Sequence, residues 1–227
     1  MIIQATTPSR IGICGGGTDL EEYYKLFGGS VINMAINLYQ HVELRTEDDK
    51  WEKHGHLFPV NADPKLCYRI LENYGLNGMH HTRISSFFDG IIGAGLGSSA
   101  SFAVALIGAL RKLTRMPIDR KIIAEEAYKA EVKQLKWDGG KQDQYAAAYG
   151  GLNLIEFNKD IKVSPFDRED AEKLKEWMVL FYIGQRENSG HQIQKGFKKL
   201  SDKQIKTLNF IKERVTDAEI CIKAKAF

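Results

Sequence analysis

The pattern of apolar and polar residues along the chain predicts strands that alternate with helices. Residues 2–14 are predicted to form a strand, a turn at Thr7-Pro8-Ser9 and a second apolar piece. Apolar residues stand at every second position in parts of residues 30–46, which predicts one long strand or two paired strands. Further strands are predicted over residues 79–88, 151–157, 161–166 and 177–183, with a weak strand over residues 51–60.

Apolar residues spaced three and four positions apart predict the helices. Thr18 and Glu21 have the spacing of a capping box, which predicts a helix that ends at Gly28-Gly29. The other helices are predicted over residues 64–74, 102–113, 118–137 (with Asp119 as its N-cap), 168–175 and from His191 onwards. This mixture of strands and helices predicts an α+β protein.

Composition and charge exclude several classes of function. The chain has 227 residues, enough for one large domain or two small ones. Its net charge of +3 is too small to indicate a nucleic-acid or anionic-membrane partner, and no apolar run approaches the length of a membrane span. The first residues show no signal peptide, and three cysteines without paired spacing indicate reduced thiols. We therefore expect a cytoplasmic protein.

A glycine-rich loop follows the predicted strand over residues 79–88. Residues 89–100 read Asp-Gly-Ile-Ile-Gly-Ala-Gly-Leu-Gly-Ser-Ser-Ala and lead into a helical run. Glycine permits positive φ and close approach of a ligand, and amides ahead of a helix N-terminus bind phosphate oxygens. Ser98 and Ser99 can cap the helix or contact a phosphate or a magnesium ion. A tight turn is the alternative, but it explains one or two glycines rather than three with a serine pair.

The spacing of the loop excludes two common nucleotide-binding motifs. A Walker A loop ends in Gly-Lys-Ser/Thr, and no lysine stands between Asp89 and Leu110. The dinucleotide fingerprint needs Gly-x-Gly-x-x-Gly, whereas this loop has Gly-x-Gly-x-Gly. The loop instead resembles the Gly-Leu-Gly-Ser-Ser-Ala loop of the GHMP kinases, which include galactokinase, homoserine kinase and mevalonate kinase. The resemblance implies that ATP is bound by Gly93, Gly95, Leu96, Gly97, Ser98, Ser99 and Ala100.

A second stretch near the start of the chain carries the same resemblance. Residues 8–19, Pro-Ser-Arg-Ile-Gly-Ile-Cys-Gly-Gly-Gly-Thr-Asp, are similar to the family's Pro-x-Arg or Pro-x-Lys, small strand and Thr-Asp turn. Three glycines replace the Gly-Glu-His of galactokinase-like members, as in bacterial D-glycero-D-manno-heptose 7-phosphate kinases, and leave room for a bulkier sugar. The resemblance implies that Arg10 faces the reacting phosphate and that the substrate contacts Gly16, Gly17, Thr18 and Asp19. A surface arginine and an aspartate favoured by a helix dipole are the alternatives.

An aspartate flanked by glutamines follows the predicted helix over residues 118–137. Residues 139–145, Gly-Gly-Lys-Gln-Asp-Gln-Tyr, place Asp143 after paired glycines and ahead of an alanine-rich segment. We expect the amides and glutamines to hold this carboxylate in one orientation, in which it can orient or deprotonate a hydroxyl nucleophile. An aspartate stabilised by a helix N-terminus is the alternative. The stretch resembles the Gly-x-Gln-Asp-Gln-Tyr of the heptose-kinase branch, which implies that Asp143 is the catalytic base.

The resemblance also implies a metal ion, a fold and a reaction. In some GHMP kinases a glutamate on the preceding helix helps to bind Mg²⁺, and Glu131 occupies that position here, with Ser99 as its partner. Lys141 is expected to offset phosphate charge or to be solvated. The implied fold is a ribosomal-protein-S5-like ATP-binding domain over residues 1–175 followed by a ferredoxin-like domain. The implied reaction transfers the γ-phosphate of ATP to the anomeric hydroxyl of D-glycero-D-manno-heptose 7-phosphate.

The family's third glycine-rich motif, in its C-terminal domain, has no counterpart in this sequence. After Gly151 the glycines stand singly at 184, 190 and 196. Residues 176–227 are therefore expected to form an incomplete second domain, whose exposed apolar surface would favour association into a homo-oligomer. Two alternatives stay open. One is a fucose- or galactose-type kinase of the same family, and the other is a non-catalytic sugar or ATP sensor, or an inactive fragment, on the same fold.

Overall fold

A computed structural model of the chain describes residues 1–46, 62–76, 82–184 and 200–226. Helices and strands are mixed along the chain, which confirms the predicted α+β class. The strands are β1 (Ile2–Cys14), β2 (Gly29–Thr46), β3 (Thr82–Phe88), β4 (Leu152–Phe157) and β5 (Lys162–Pro165). The helices are α1 (Glu21–Phe27), α2 (Pro64–Asn73), α3 (Ser98–Leu113), α4 (Arg120–Tyr128), a π-helix (Lys129–Gln134), α5 (Gln142–Tyr149), α6 (Arg168–Glu176) and α7 (Asp202–Ala224). The weak strand predicted over residues 51–60 lies outside the described residues.

The strands form one antiparallel sheet built around β2. β1 pairs with β2 along its whole length. β3 pairs with the second half of β2, from Gln40 onwards, and β4 pairs with its first half, as far as Met34. β5 pairs with β4, as the sequence predicts. The alternating pattern over residues 30–46 therefore corresponds to one long strand.

The turn predicted at Thr7-Pro8-Ser9 is wrong. β1 continues through these residues, and its register shifts between Pro8 and Ser9, where the partner in β2 changes from Tyr39 to Ile36. Proline has no N–H to donate to the hydrogen-bond ladder, so strands accommodate it at such irregularities. Arg10 lies just after this shift, opposite Ala35 of β2.

Helices cover both faces of the sheet near the start of β2. Neighbouring residues of a strand point to opposite faces, and Val31 and Ile32 are both fully buried. Val31 belongs to an apolar cluster with Tyr145 of α5, whereas Ile32 belongs to one with Val215 of α7. The largest cluster joins α2 and α3 to β2 and β3. The glycine-rich loop between β3 and α3 is therefore held at both ends by the core.

The helix α7 lies beyond the predicted domain boundary at residue 175, yet it packs on this sheet. Leu174 of α6 and Ile222 of α7 share one buried cluster with residues of β2 and β4. The division into two domains stays a prediction. None of the described helices is both long and apolar enough to cross a membrane.

The strand predicted over residues 177–183 is wrong. The segment forms neither strand nor helix, and six of its seven residues are large and exposed, from 55% for Tyr182 to 98% for Ile183. Its apolar and aromatic composition favours a strand, but a strand also needs a neighbour to satisfy its backbone N–H and C=O groups. Across the described ranges no strand pairs with it.

Two details of the predicted helices also change. The helix predicted over residues 118–137 divides into α4 and the π-helix, although Asp119 caps it as expected, accepting the N–H of Ile122 at 2.8 Å. The prediction of a capping box before α1 is wrong, because Leu20 occupies the N-cap position and no side chain caps the helix. α1 ends at Phe27 as predicted, with Gly28 at φ +67°.

Candidate active site

The loop between β3 and α3 has the backbone conformation that its glycines predict. Gly93, Gly95 and Gly97 have φ values of +82°, +79° and +75°, which L side chains rarely adopt. Gly97 takes the N-cap position of α3, and neither Ser98 nor Ser99 caps the helix. The first amides of α3 therefore have no side-chain cap, which leaves them suited to an anionic ligand.

Arg10 and Asp143 meet beside this loop. The Arg10 guanidinium contacts Oδ1 of Asp143 twice, through Nε at 2.8 Å and NH2 at 2.6 Å. It also donates through NH1 to the carbonyl oxygen of Gly95 at 2.8 Å, and the Arg10 main-chain N–H donates to the carbonyl oxygen of Leu96 at 3.1 Å. A Cβ on Gly97 would lie 3.3 Å from Oδ2 of Asp143. The structure thus brings both predicted catalytic residues against the predicted phosphate loop.

Ser99 and Glu131 form a second group at the start of α3. The Ser99 hydroxyl donates to Oε1 of Glu131 at 2.6 Å, and Nε2 of Gln144 donates to its Oε2 at 2.7 Å. Hydroxyl and carboxylate oxygens suit Mg²⁺, which binds through one or two carboxylates together with substrate phosphates and water. Within the described ranges no group of three or more His, Cys, Asp or Glu side chains could hold a metal. The pair therefore fits a Mg²⁺ ion that is shared with phosphates rather than enclosed by protein.

The position of Glu131 depends on the π-helix. The Leu135 N–H donates to the Ala130 carbonyl oxygen, a π-helical bond of 3.1 Å, and the wider turn directs the Glu131 side chain into the protein, where it is 5% exposed. Burial raises the pKa of Glu131 to about 7, although the hydrogen bonds from Ser99 and Gln144 act to lower it. This carboxyl group is therefore close to half-ionised near neutral pH.

Asp19 is buried and held by neutral donors. It accepts the main-chain N–H of Gln142 and the Nε2 of the same residue, both at 3.1 Å, and the N–H of Gly17 at 3.2 Å. Burial raises the pKa of Asp19, and the charge of nearby Asp143 raises it further. A Cβ on Gly140 would lie 1.9 Å from Oδ2 of Asp19, so the second of the paired glycines is needed for this contact.

The three glycines before Thr18 have different roles. A Cβ on Gly15 would lie 2.1 Å from the carbonyl oxygen of Ser30, and one on Gly17 would lie 3.3 Å from the Leu208 side chain of α7. A Cβ on Gly16 would meet nothing closer than 4.0 Å. The expectation that the whole turn leaves room for substrate therefore holds for Gly16 alone. The other two glycines permit φ values near +90° and close packing.

Thr18 is fully buried beneath the same turn. Its hydroxyl lies 2.8 Å from the carbonyl oxygens of Gly15 and of Ser30, and it accepts the Ser30 N–H at 3.0 Å. These bonds join the glycine turn to β2 and explain why no capping box forms with Glu21. A substrate contact of Thr18 stays a prediction.

The hypothesis that the flanking glutamines hold Asp143 is wrong. Gln142 binds Asp19, Gln144 binds Glu131, and Arg10 holds Asp143. Consecutive residues of a helix point about 100° apart, so neighbours in sequence reach different partners. The first turn of α5 thereby connects three carboxylates, a guanidinium and a glycine-rich loop, which is a set suited to phosphates, a hard cation and a hydroxyl group.

Comparisons with known proteins show which family the chain resembles. A family model described as the GHMP kinases N terminal domain matches residues 64–151. A D-glycero-alpha-D-manno-heptose 7-phosphate kinase of Campylobacter jejuni is 30% identical over 233 residues, covering 93% of this chain and 68% of that protein. An L-fucokinase/L-fucose-1-P guanylyltransferase of Bacteroides fragilis is 25% identical, covering 81% of this chain and 24% of that protein.

The fold has solved counterparts as well. The crystal structure of a D-glycero-D-manno-heptose 1-phosphate kinase from Bacteroides thetaiotaomicron superimposes with a TM-score of 0.78 at 24% identity, covering 99% of this chain and 74% of that one. At this identity the likeness shows a shared fold.

Proposed function

The chain belongs to the GHMP kinase family, and from this premise we propose that it transfers the γ-phosphate of ATP to a sugar hydroxyl. The observation that carries the proposal is the contact of Arg10 with both Asp143 and the glycine-rich loop. Three groups lie together there: a carboxylate that can accept a proton, the cationic Arg10 side chain, and amides that no side chain caps. Positioning and electrostatic stabilisation are the main sources of rate in phosphoryl transfer, and this arrangement supplies both.

We assign proton transfer to Asp143. Both Arg10 contacts go to Oδ1, and among the described residues no side chain donates to Oδ2, which is left for the acceptor hydroxyl. As the hydroxyl proton moves to this oxygen, the hydroxyl oxygen bonds to the γ-phosphorus, and the bond from that phosphorus to the β–γ bridging oxygen breaks, releasing ADP. Arg10 offsets the charge of the transferring phosphoryl group.

The loop and the start of α3 are assigned to the nucleotide. We assign the phosphate oxygens to amides between Gly93 and Ala100, because the loop glycines have positive φ and no side chain caps α3. Ser99 and Glu131 are the residues that would hold Mg²⁺. When bound, Mg²⁺ would neutralise part of the phosphate charge.

For the acceptor we propose the anomeric hydroxyl of D-glycero-D-manno-heptose 7-phosphate. The name of the Campylobacter jejuni relative supports this choice, and Gly16 is exposed, with only Gln142 Nε2 within 4.0 Å of an added Cβ, which is compatible with a large sugar phosphate. A fucose- or galactose-type acceptor is the alternative, supported by the fucokinase relative. Use of ATP and a sugar phosphate would place the reaction in the cytoplasm.

The test is ADP formation from ATP and Mg²⁺ with a panel of sugars and sugar phosphates. Wild-type protein is expected to turn over heptose 7-phosphate, and Asp143→Asn to lose about 10²–10⁴-fold in kcat, the range typical of a positioned base. Asp160→Asn, the same change in an exposed turn, is the matched control and should retain activity. Phosphorus NMR of the product identifies the phosphorylated hydroxyl.

Two outcomes would contradict the proposal. Equal kcat values for Asp143→Asn and wild type would exclude Asp143 as the base. Binding of ATP and sugar with no turnover on any acceptor would instead support the non-catalytic sensor.

A further inference from the structure

An ion pair with a buried lysine stands immediately before the first turn of α5. Lys141 is 8% exposed, and its ammonium group donates to both carboxylate oxygens of Glu125, at 2.8 and 2.7 Å. The same ammonium lies 4.8 Å from the ring centroid of Tyr128, and the Tyr145 hydroxyl donates to Glu125 at 2.6 Å. Charge-assisted hydrogen bonds and a cation–π contact thus hold the ammonium group, while the Glu125 side chain is 37% exposed. Lys141 is therefore neither solvated nor directed at a phosphate, contrary to both sequence-based expectations.

This pair is one of several tethers on a single helical turn. In order from Lys141 to Tyr145, the side chains contact Glu125, Asp19, Arg10, Glu131 and again Glu125. Three of these partners are assigned to the substrate, the phosphate or Mg²⁺. Glu125 has no such assignment and belongs to α4, which packs in the core through Ile123 and Ala127. The contact with Glu125 is therefore the tether whose partner has no assigned ligand and is anchored in the core.

We propose that Lys141 and Glu125 are positioning residues, which hold the first turn of α5 so that Asp143 stands at the distance required for proton transfer. The kinetic part of this inference rests on the proposed kinase function. A displacement of about 1 Å at a reacting group costs about 100-fold in rate, so a tether that fixes the turn affects catalysis without touching substrate. Sequence motifs do not mark Lys141, because its position is the variable one in Gly-x-Gln-Asp-Gln-Tyr.

Lys141 and Glu125 can be substituted without changing any residue assigned to ATP, sugar or Mg²⁺. Lys141 and Glu125 form part of the wall of a cavity of about 500 Å³, together with Lys121 and Tyr128. No residue assigned to ATP, sugar or Mg²⁺ lines this cavity. Lys121 is exposed and lies on the same helix as Glu125, so Lys121→Met is a matched control for Lys141→Met.

The first test measures amide hydrogen exchange of the full chain without substrates. In Lys141→Met the amides of Gln142 and Tyr145, which are bonded to Asp19 and to the Lys141 carbonyl, are expected to exchange at least ~10-fold faster. Amides of α3 should be unchanged, and Lys121→Met should match wild type throughout. The double variant Glu125→Gln/Lys141→Met leaves no unpaired charge, so it provides the same comparison if the single variant does not fold. Unchanged exchange at Gln142 and Tyr145 would overturn the proposal.

The second test separates kcat from KM. Lys141→Met is expected to lower kcat by ~10–100-fold with KM for ATP within ~3-fold of wild type, because the loop that binds ATP is untouched. The double variant should lower kcat no further, since the two residues act as one unit. In an active enzyme, a kcat for Lys141→Met within ~2-fold of wild type would refute the positioning role. A wild-type chain without turnover would refute the proposed function instead, and the exchange measurement would still decide the positioning role.

Discussion

The three carboxylates of the site are held by three kinds of partner. Asp19 accepts amide N–H groups, Glu131 accepts a hydroxyl and an amide, and Asp143 accepts a guanidinium. Neutral donors offset the loss of water only in part, which is why burial raises the pKa of both Asp19 and Glu131. Only Asp143 has a full positive charge as its partner. The residue proposed to take a proton is thus the one whose orientation is fixed by charge.

Glu131 is expected to make stability depend on pH. Its pKa is about 7 in the folded protein against 4.5 for the free side chain. The folded state holds the Glu131 proton more tightly than the unfolded state, so proton binding by Glu131 stabilises the folded state. This stabilisation is complete below pH ~4.5 and is lost as pH rises through ~7. Urea unfolding in EDTA should show a free energy of unfolding lower at pH 8 than at pH 5 by ~2–3 kcal/mol from this residue. That difference should disappear in Glu131→Gln, and identical pH profiles of the two proteins would contradict the prediction.

Gly140 is expected to tolerate no side chain. A Cβ there would lie 1.9 Å from Oδ2 and 2.4 Å from Cγ of Asp19, which is buried and held by Gln142. Gly140→Ala should therefore lower the free energy of unfolding by ~2 kcal/mol and raise KM for the sugar. Gly139→Ala is the control, because its Cβ would meet only Val132, at 3.4 Å. Denaturant unfolding and sugar kinetics measure both effects, and equal losses in the two variants would contradict the argument.

The residue identities of the site were more predictable than their contacts. The sequence motifs predicted Ser99 as the partner of Glu131, and the two side chains lie 2.6 Å apart, although their metal role stays a prediction. The partners of Gln142 and Gln144 were not predictable, because each depends on where a distant element lies in space. The tether of Lys141 to Glu125 was missed for the same reason, since sixteen residues separate the two in sequence.

At the scale of elements, α7 supports the glycine turn over residues 15–17 from outside. Val215 lies against Gly15 and Leu208 against Gly17, and the Lys212 ammonium donates to the Phe27 carbonyl oxygen at the end of α1. The side chains of α7 thus occupy the space that the two glycines leave. We expect a change in this packing to affect Thr18, because its hydroxyl donates to the Gly15 carbonyl oxygen.

Leu208→Ala is therefore expected to destabilise the chain. Leu208 is 3% exposed, and deletion of a buried leucine side chain costs about 2–5 kcal/mol. Ile220→Ala, on the same helix and 61% exposed, should change the free energy of unfolding by less than ~0.5 kcal/mol. Chemical denaturation of both variants measures the difference. Similar, small losses would show that α7 does not hold the turn.

Element types were predictable where the signal is local. Alternation predicted β2, and Asp119 marked the start of α4. The segment 177–183 was predicted wrongly because strand formation depends on a partner that composition does not reveal. The π-helix was missed because apolar spacing does not distinguish i→i+5 bonding from the usual α-helical pattern.

At the scale of the whole molecule, the site exists only in the folded chain. Arg10 and Asp143 are 133 positions apart, and the glycine-rich loop and the π-helix lie between them in sequence. Each of these elements contributes a group to the site. Whatever binds there must therefore favour the folded state over the unfolded one. Self-association through exposed apolar surface of residues 176–227 stays a prediction.

Mg²⁺-ATP is accordingly expected to raise the melting temperature. At one hundred times the dissociation constant, a ligand adds about 2.7 kcal/mol to stability, which for a chain of this size raises Tm by roughly 5–10 °C. Differential scanning fluorimetry measures the shift with ATP alone and with added Mg²⁺. In Glu131→Gln the extra shift from Mg²⁺ should shrink while the shift from ATP alone persists. No shift in wild type at saturating ATP would contradict ATP binding.

The location of the Glu131 side chain depends on the number of residues in the π-helix. Because i→i+5 bonding differs from i→i+4 by one residue, Lys129–Gln134 is equivalent to an α-helix with a single inserted residue. Removing that residue would restore α-helical geometry and turn the following residues by about 100°. The same deletion would relieve an unfavourable helix conformation and change the spacing between Glu131 and the first turn of α5. Deleting one residue here would thus favour the local helix conformation but disturb the site. We therefore expect insertions and deletions in this segment to be tolerated far less than substitutions.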